Sequence, residues 1–202
     1  MKRPTNKADR DWQRILAAWS GSEPATLFEL AAAYTRDHPH RFAGWIALAD
    51  VQRDLARYTE AAAALRCAEP LASPAQRRDI WIQRGHLHKK KGNLKLAVTW
   101  YRRAAEDKPT THAYVFLGAA LAQLGEAADA KRCHRKAIQL HTECTDEAHY
   151  NLGLLLRSEG RYPQAIESFA EALQLDPKYE LAREALLDCE QALAMRGRGG
   201  SA

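Results

Sequence analysis

The sequence predicts an all-α protein, a solenoid of antiparallel helix pairs, and three observations carry that prediction. First, two series of glycines recur in step: Gly85, Gly118 and Gly153 are spaced 33 and 35 residues apart, and Gly92, Gly125 and Gly160 follow them seven residues later. A fixed period of this size is the signature of a repeat architecture. Second, the apolar residues around those glycines recur at three- and four-residue spacing, as on amphipathic helices. Third, glycine (11) and proline (8) are sparse among 202 residues, which disfavours a sandwich of short strands.

The units can be laid out in order. The clearest reads His149-x-x-Leu152-Gly153-x-x-Leu156, then Gly160-Arg161-Tyr162, then Ala165-x-x-x-Phe169-x-x-Ala172, closing at Asp176-Pro177. Before it stand Tyr114-x-x-Leu117-Gly118-x-x-Leu121, Gly125 and Ala130-x-x-x-His134-x-x-Ala137. Earlier come Trp81-x-x-Arg84-Gly85-x-x-His88, Gly92, Ala97-x-x-x-Tyr101-x-x-Ala104 and Pro109. The first copy is Trp45-x-x-Leu48-Ala49-x-x-Gln52, Ala56 and Ala61-x-x-x-Leu65-x-x-Ala68. The small residue in each first helix and the alanines of each second helix let two backbones approach closely. The later glycine permits the left-handed turn that ends the first helix, and Ala56 must do so without that freedom. Pro163 suits a first helical turn, and Pro109 and Pro177 stop a helix.

This pattern resembles the tetratricopeptide repeat, with its period of about 34 residues and its W-x2-L-G-x2-Y…A-x3-F…P signature. The resemblance implies a right-handed superhelix of units at 42–77, 78–110, 111–145 and 146–179. Three departures stand out: Arg84 replaces the usual Leu, His134 stands at an aromatic position, and Thr142 stands where a closing Pro is expected. The 141–145 connection is one residue longer than the repeat calls for by this alignment, so the third and fourth units are expected to join more loosely. Around the four units the sequence predicts a degenerate helical pair at 9–41, carrying Leu27, Leu30, Ala31 and Tyr34 on one stripe. A capping helix is expected at 180–194, with Leu181, Ala185, Leu186, Cys189 and Leu193 along one face, because an array must cover its ends. Residues 1–8 and the tail 195–202 are expected to be disordered.

Net charge is +5, unevenly spread. Ten basic residues against three acidic ones give 71–110 a charge of +7, and three against seven give 146–180 a charge of −4. Such a dipolar chain invites an acidic partner or another copy of itself. No apolar run approaches a membrane span, and Asp9, Arg10 and Asp11 stand where a secretory signal needs apolar residues, so no membrane partner and a cytoplasmic location are expected. Four scattered cysteines (Cys67, Cys133, Cys144, Cys189) form no C-x-x-C pair and read as reduced, mostly packed thiols. A metal site from Cys133, His134, His141, Cys144 and His149 matches no familiar zinc spacing, and no metal or other cofactor is expected.

Nothing in the sequence assembles catalytic chemistry: there is no G-x-S-x-G, phosphate loop or dinucleotide fingerprint. Asp50 and Asp54 alternate with Arg53 and Arg57, as on a solvated helix face. The expectation is therefore a non-catalytic scaffold or adaptor. In the resembling family the first helix of each unit lines a concave groove, which reads extended peptides or a partner's helix. Carried over residue by residue, that groove comprises Ile46, Asp50, Arg53 and Asp54; Ile82, Gln83, His86, Lys89 and Lys90; Val115, Phe116, Ala119 and Gln123; and Tyr150, Asn151, Leu154 and Arg157. Asn151 would clamp a peptide backbone, Phe116 and Tyr150 would anchor or pack, and Lys89 and Lys90 would meet an acidic ligand. The clamp that grips chaperone C-terminal tails is not reproduced. Its aligned positions hold Ile82, His86, Phe116, Glu147 and Asn151, or Ile46, Asp50, Gln83, His112 and Phe116, so such tails are disfavoured. The alternatives are a nucleic-acid-associated protein using the basic 77–108 stretch, itself disfavoured for want of a recognition motif; a salt-sensitive, self-assembling structural protein; and the regulatory half of a longer enzyme, against which the 202-residue length argues.

Overall fold

Glycine and alanine decide where the helices turn. In the computed structural model, which describes residues 6–19, 21 and 23–199 (side chains to 196), eleven α-helices and two 3-10 turns follow one another without a strand among the described residues. The helices are α1 Lys7–Trp19, α2 Pro24–Asp37, α3 Phe42–Asp54, α4 Tyr58–Ala68, α5 Arg77–Lys90 and α6 Leu94–Asp107. They continue as α7 Thr111–Gln123, α8 Ala127–Leu140, α9 Thr145–Ser158, α10 Tyr162–Leu175 and α11 Glu180–Gly199. No helix among the described residues is long and apolar enough to cross a membrane.

Each first helix of the four units ends in the same way. Gly92, Gly125 and Gly160 take φ of 78°, 83° and 72°, and Ala56 takes 57°. The next amide donates back across the turn: Arg57 N to Gln52 O at 2.8 Å, Asn93 N to His88 O at 2.8 Å, Glu126 N to Leu121 O at 2.9 Å, Arg161 N to Leu156 O at 3.0 Å. This is the hydrogen-bond pattern of a left-handed helix stop, which satisfies carbonyls otherwise orphaned. Ala56 makes the same stop while holding a Cβ in the unfavourable left-handed region. Ala56→Gly is therefore expected to raise stability by about 0.5–1 kcal/mol, the relief of strain less the added entropy of the unfolded glycine. A urea midpoint that falls on this substitution would contradict it.

The structure divides into two units, Met1–Trp100 and Tyr101–Ala202. In the first, α3 packs on α2 and α4, with a core of Ala31, Leu48, Ala61, Leu65 and their neighbours. Tyr34 of α2 reaches α3 where Gly44 leaves room, since a Cβ there would lie 2.5 Å from the Tyr34 ring. Arg84, the departure from Leu, keeps the position useful by stacking its guanidinium 4.8 Å above the Trp100 ring and donating to Glu69 at 2.7 Å.

In the second unit the paired helices α7–α8 and α9–α10 are held by the motif residues themselves. Ala130, Ala137, Ala165, Phe169 and Ala172 are fully buried. A Cβ on Gly153 would meet the Phe169 ring at 2.6 Å, and one on Gly118 would meet the His134 ring at the same 2.6 Å. The long join after α8 is not loose. His141 and Cys144 adopt left-handed φ of 45° and 62°, and a set of threonines ties the segment down: the Thr111 and Thr142 hydroxyls meet at 2.7 Å, and the Thr145 hydroxyl donates to the Thr142 carbonyl at 2.6 Å. Side-chain hydroxyls replace the stiffness that the missing proline would have supplied.

The flanks differ from expectation. The buried side of α11 is Ala182, Ala185 and Cys189, while Leu181 and Leu193 are 56% and 40% exposed. A helix turns about 100° per residue, so Ala182 rather than Leu181 lies in line with Ala185 and Cys189. The helix also runs to Gly199, past the expected end at 194, and Arg196 lies 4.6 Å over the Tyr162 ring. At the other end Lys7 and Ala8 already belong to α1, and Ala8 is buried. The rest of the expected disorder, at 1–5 and 200–202, falls outside the described residues.

Candidate functional site

In the first unit, the residues expected to line a groove come from α3 and α5. Asp50 and Arg53 lie one turn apart on α3, and Gln83 of α5 closes a three-way network with them. Arg53 Nη1 donates to Asp50 Oδ1 at 2.5 Å and to Gln83 Oε1 at 2.8 Å, and Gln83 Nε2 donates to Asp50 Oδ2 at 3.0 Å. Both charged side chains are only 15% exposed, so this is not the solvated face that alternating charges suggested. The correction has a clear cause: the neighbouring helix α5 covers the stripe, and sequence spacing on one helix says nothing about what lies against it. Arg57 is likewise engaged, 4.5 Å over the Phe28 ring and bonded to Glu60 at 3.1 Å. Asp54 stays more open, at 54% exposure, and accepts from Arg53 Nε at 3.2 Å.

Burial raises the Asp50 carboxyl above the usual carboxylate range, against the opposing pull of Arg53. One turn beyond Gln83, burial takes the His86 imidazole down to about 4, with help from the charges of Arg53 and Lys89. At neutral pH His86 is therefore uncharged. Lys89 is half-buried and Lys90 exposed.

In the second unit, Phe116 and Gln123 stand on α7, and Tyr150, Asn151, Leu154 and Arg157 on α9. Phe116 leans on Tyr101 at 5.7 Å and on His112 at 6.1 Å. Val115, expected beside it, is fully buried instead. Tyr150 sits between Phe169 at 5.8 Å and Tyr179 at 5.0 Å, a packing role. Burial, with Glu147 and other nearby groups, pushes the Tyr179 phenol up to about 12. Arg157 points toward α11, 3.5 Å from Asp188. Gln123 is exposed at the end of α7, and Leu154 is half-buried. Asn151 is half-buried too, and no side-chain hydrogen bond to a described residue occupies its amide.

The cysteines and histidines do not gather. No group of three or more metal-binding side chains comes together among the described residues. Cys144 Sγ lies 3.1 Å from His112 Nε2, a histidine outside the set considered from sequence. Cys189 is buried but Cys67 is exposed, so the thiols are less uniformly packed than expected. His134 is buried, with Nδ1 unpartnered, and burial lowers it to about 4.

The sequence reading did not single out the apolar stripe of α1. Trp12, Leu16 and Trp19, at i, i+4 and i+7, face Phe42, Ala43, Ile46 and Ala47 of α3 across a pocket of about 450 Å³, with Asp50 and Gln76 also in its wall. The helical spacing of the tryptophans is visible in the sequence, but only the structure shows that Trp12 packs on Tyr34 at 5.5 Å while Leu16 and Trp19 are left exposed.

Comparison with known proteins agrees with this architecture. Models of the tetratricopeptide repeat match residues 79–110 and 146–179. A human relative, tetratricopeptide repeat protein 7A, is 32% identical over 98 residues, which is 48% of this chain. The match spans only 11% of that relative's own length. Among solved structures, a thermophilic TPR protein of Thermus thermophilus superposes with a TM-score of 0.72 at 20% identity, covering 91% of this chain and 99% of the other. YrrB, described as a TPR protein with an unusual peptide-binding site, superposes with a TM-score of 0.58 at 19% identity, covering 89% and 91%. From the in-register helix pairs, their shared left-handed stops and these matches, the chain carries tetratricopeptide repeats at 79–110 and 146–179 within a fold similar to that of tetratricopeptide-repeat solenoids.

Proposed function

We propose that the chain is a non-catalytic interaction module that holds a segment of a partner protein against the first helices of its repeats. The observation that carries this reading is the division of labour within each helix pair. The motif residues of the second helices, such as Ala61, Leu65, Ala97, Tyr101, Ala130, Ala165 and Phe169, are buried, whereas first-helix residues such as Ile46, His86, Phe116, Asn151 and Leu154 stay partly open. Asn151 supports it most directly, because a free amide can both donate to and accept from an extended backbone. Peptide binding by the similar protein YrrB is consistent with the same use of the fold. In this reading Lys89 and Lys90 meet acidic residues of the partner, while the absence of a chaperone-tail clamp directs the module to other ligands.

The test is a photo-cross-linker placed at position 151 and, as a control, at exposed Glu167 of α10, in cells that make the protein. Specific protein adducts from position 151, absent from 167 and reduced about tenfold by neighbouring Leu154→Asp, are expected, a loss of the size that hot-spot contacts give. Equal labelling at both positions, or binding to random oligonucleotides that collapses steeply with salt, would refute it in favour of no groove ligand or of nucleic acid.

A further inference from the structure

The pocket between α1 and α3 has a chemistry that selects its occupant. Its walls are Trp12, Leu16 and Trp19 on one side and Phe42, Ala43 and Ile46 on the other. Leu16 and Trp19 are each 45% exposed although Ile15 and Ala18, on the inward side of the same helix, are buried. The exposed side of α1 is mixed: Arg10, Gln13 and Arg14 lie in water, while Leu16 and Trp19 leave an apolar strip beside the pocket. Uncovered apolar surface bordering a cavity of this size marks a binding site rather than ordinary surface.

The charge in the described wall of the pocket is acidic. Asp50 is the only charged residue among the described residues of the wall. Behind it the guanidinium of Arg53 is shared by two carboxylates, Asp50 at 2.5 Å and Asp54 at 3.2 Å, so the cluster carries an excess negative charge. His86 adds no positive charge near neutral pH, and Lys89 and Lys90 on α5 lie outside the wall. Indole faces also attract cations. An acidic segment would bring a carboxylate beside Asp50 in a poorly hydrated place, whereas a basic one completes the charge balance.

We infer that this pocket receives a bulky apolar side chain from a partner segment whose adjacent residue is Lys or Arg, the cation meeting Asp50 and the tryptophans. The inference rests on the reading of the chain as a protein-interaction module and specifies what one end of it recognises.

The experiment selects binders to the full chain from a phage-displayed library of random dodecapeptides and measures affinity of the enriched peptides by tryptophan fluorescence. Enriched peptides should pair Leu, Ile, Met or an aromatic residue with Lys or Arg. Leu16→Ser, at an exposed site that leaves the fold intact by circular dichroism, should weaken them at least about tenfold, as loss of an anchor contact does. Asp54→Asn should weaken them severalfold, more at low salt than at high. Acidic peptides whose binding Leu16→Ser weakens, binding of every enriched peptide untouched by Leu16→Ser, or no enrichment would overturn the assignment. So would a concentration-dependent dimer that Leu16→Ser abolishes, because the occupant would then be a second copy. Peptides lost with Leu154→Asp but not with Leu16→Ser would sink this inference and leave the module reading standing.

Discussion

Phe169→Ala is expected to destabilise the second unit by about 3–5 kcal/mol, the usual cost of removing a fully buried aromatic ring. Phe169 is wholly buried, stacks on Tyr150 at 5.8 Å, and fills the space that Gly153 leaves by lacking a Cβ. Its removal opens a cavity between α9 and α10 that rigid helices cannot close. The control is Leu175→Ala at the end of the same helix, where the side chain is 46% exposed and the cost should stay within about 1 kcal/mol. Urea titration followed by circular dichroism reads both. Similar losses for the two variants would mean that Phe169 does not hold the pair together.

Acid is expected to weaken the protein partly through His134, and His134→Phe should remove that part. The imidazole is buried and held near 4, against 6.5 for an ordinary histidine. Its folded pKa is thus depressed, so between pH 6.5 and pH 4 the unfolded chain binds the extra proton and stability falls as pH falls. From pH 7 to pH 5 this amounts to about 2 kcal/mol, at about 1.36 kcal/mol per pKa unit. Phe is tolerated at this position in geometry, because the His134 ring lies over Gly118 as the Phe169 ring lies over Gly153. It also removes a buried Nδ1 that has no partner, worth about 1–3 kcal/mol at neutral pH. The stability advantage of His134→Phe should therefore widen on acidification. A gap that stays constant from pH 7 to pH 5 would show that His134 takes up its proton without penalty.

The two predictions divide along the line between local and assembled information. Helix stops, the small residues at close approaches and the alanine stripes were legible because each is a local demand that recurs with the repeat period. Gly92, Gly125 and Gly160 had to be followed by a turn, and Ala56 had to follow them at a cost, whatever surrounded them. The groove positions are legible only as a register: spacing sets Asp50, Arg53 and Gln83 on one face, and the structure has them satisfy one another. Val115, on the same register, is buried, and Tyr150 is held between two rings.

What the sequence alone determined is the repeat, its period and the role of each motif residue, because backbone sterics and helical periodicity act within a few residues. What only the tertiary structure decided is which polar and apolar side chains remain available. Asp50 gained Arg53 and Gln83 as partners and keeps only a small edge in the pocket wall, Thr142 replaced a proline by bonding Thr111, and Trp12, Leu16 and Trp19 were left facing a cavity. Availability depends on what packs across from a residue, and that is fixed by neighbours about one repeat away in the chain.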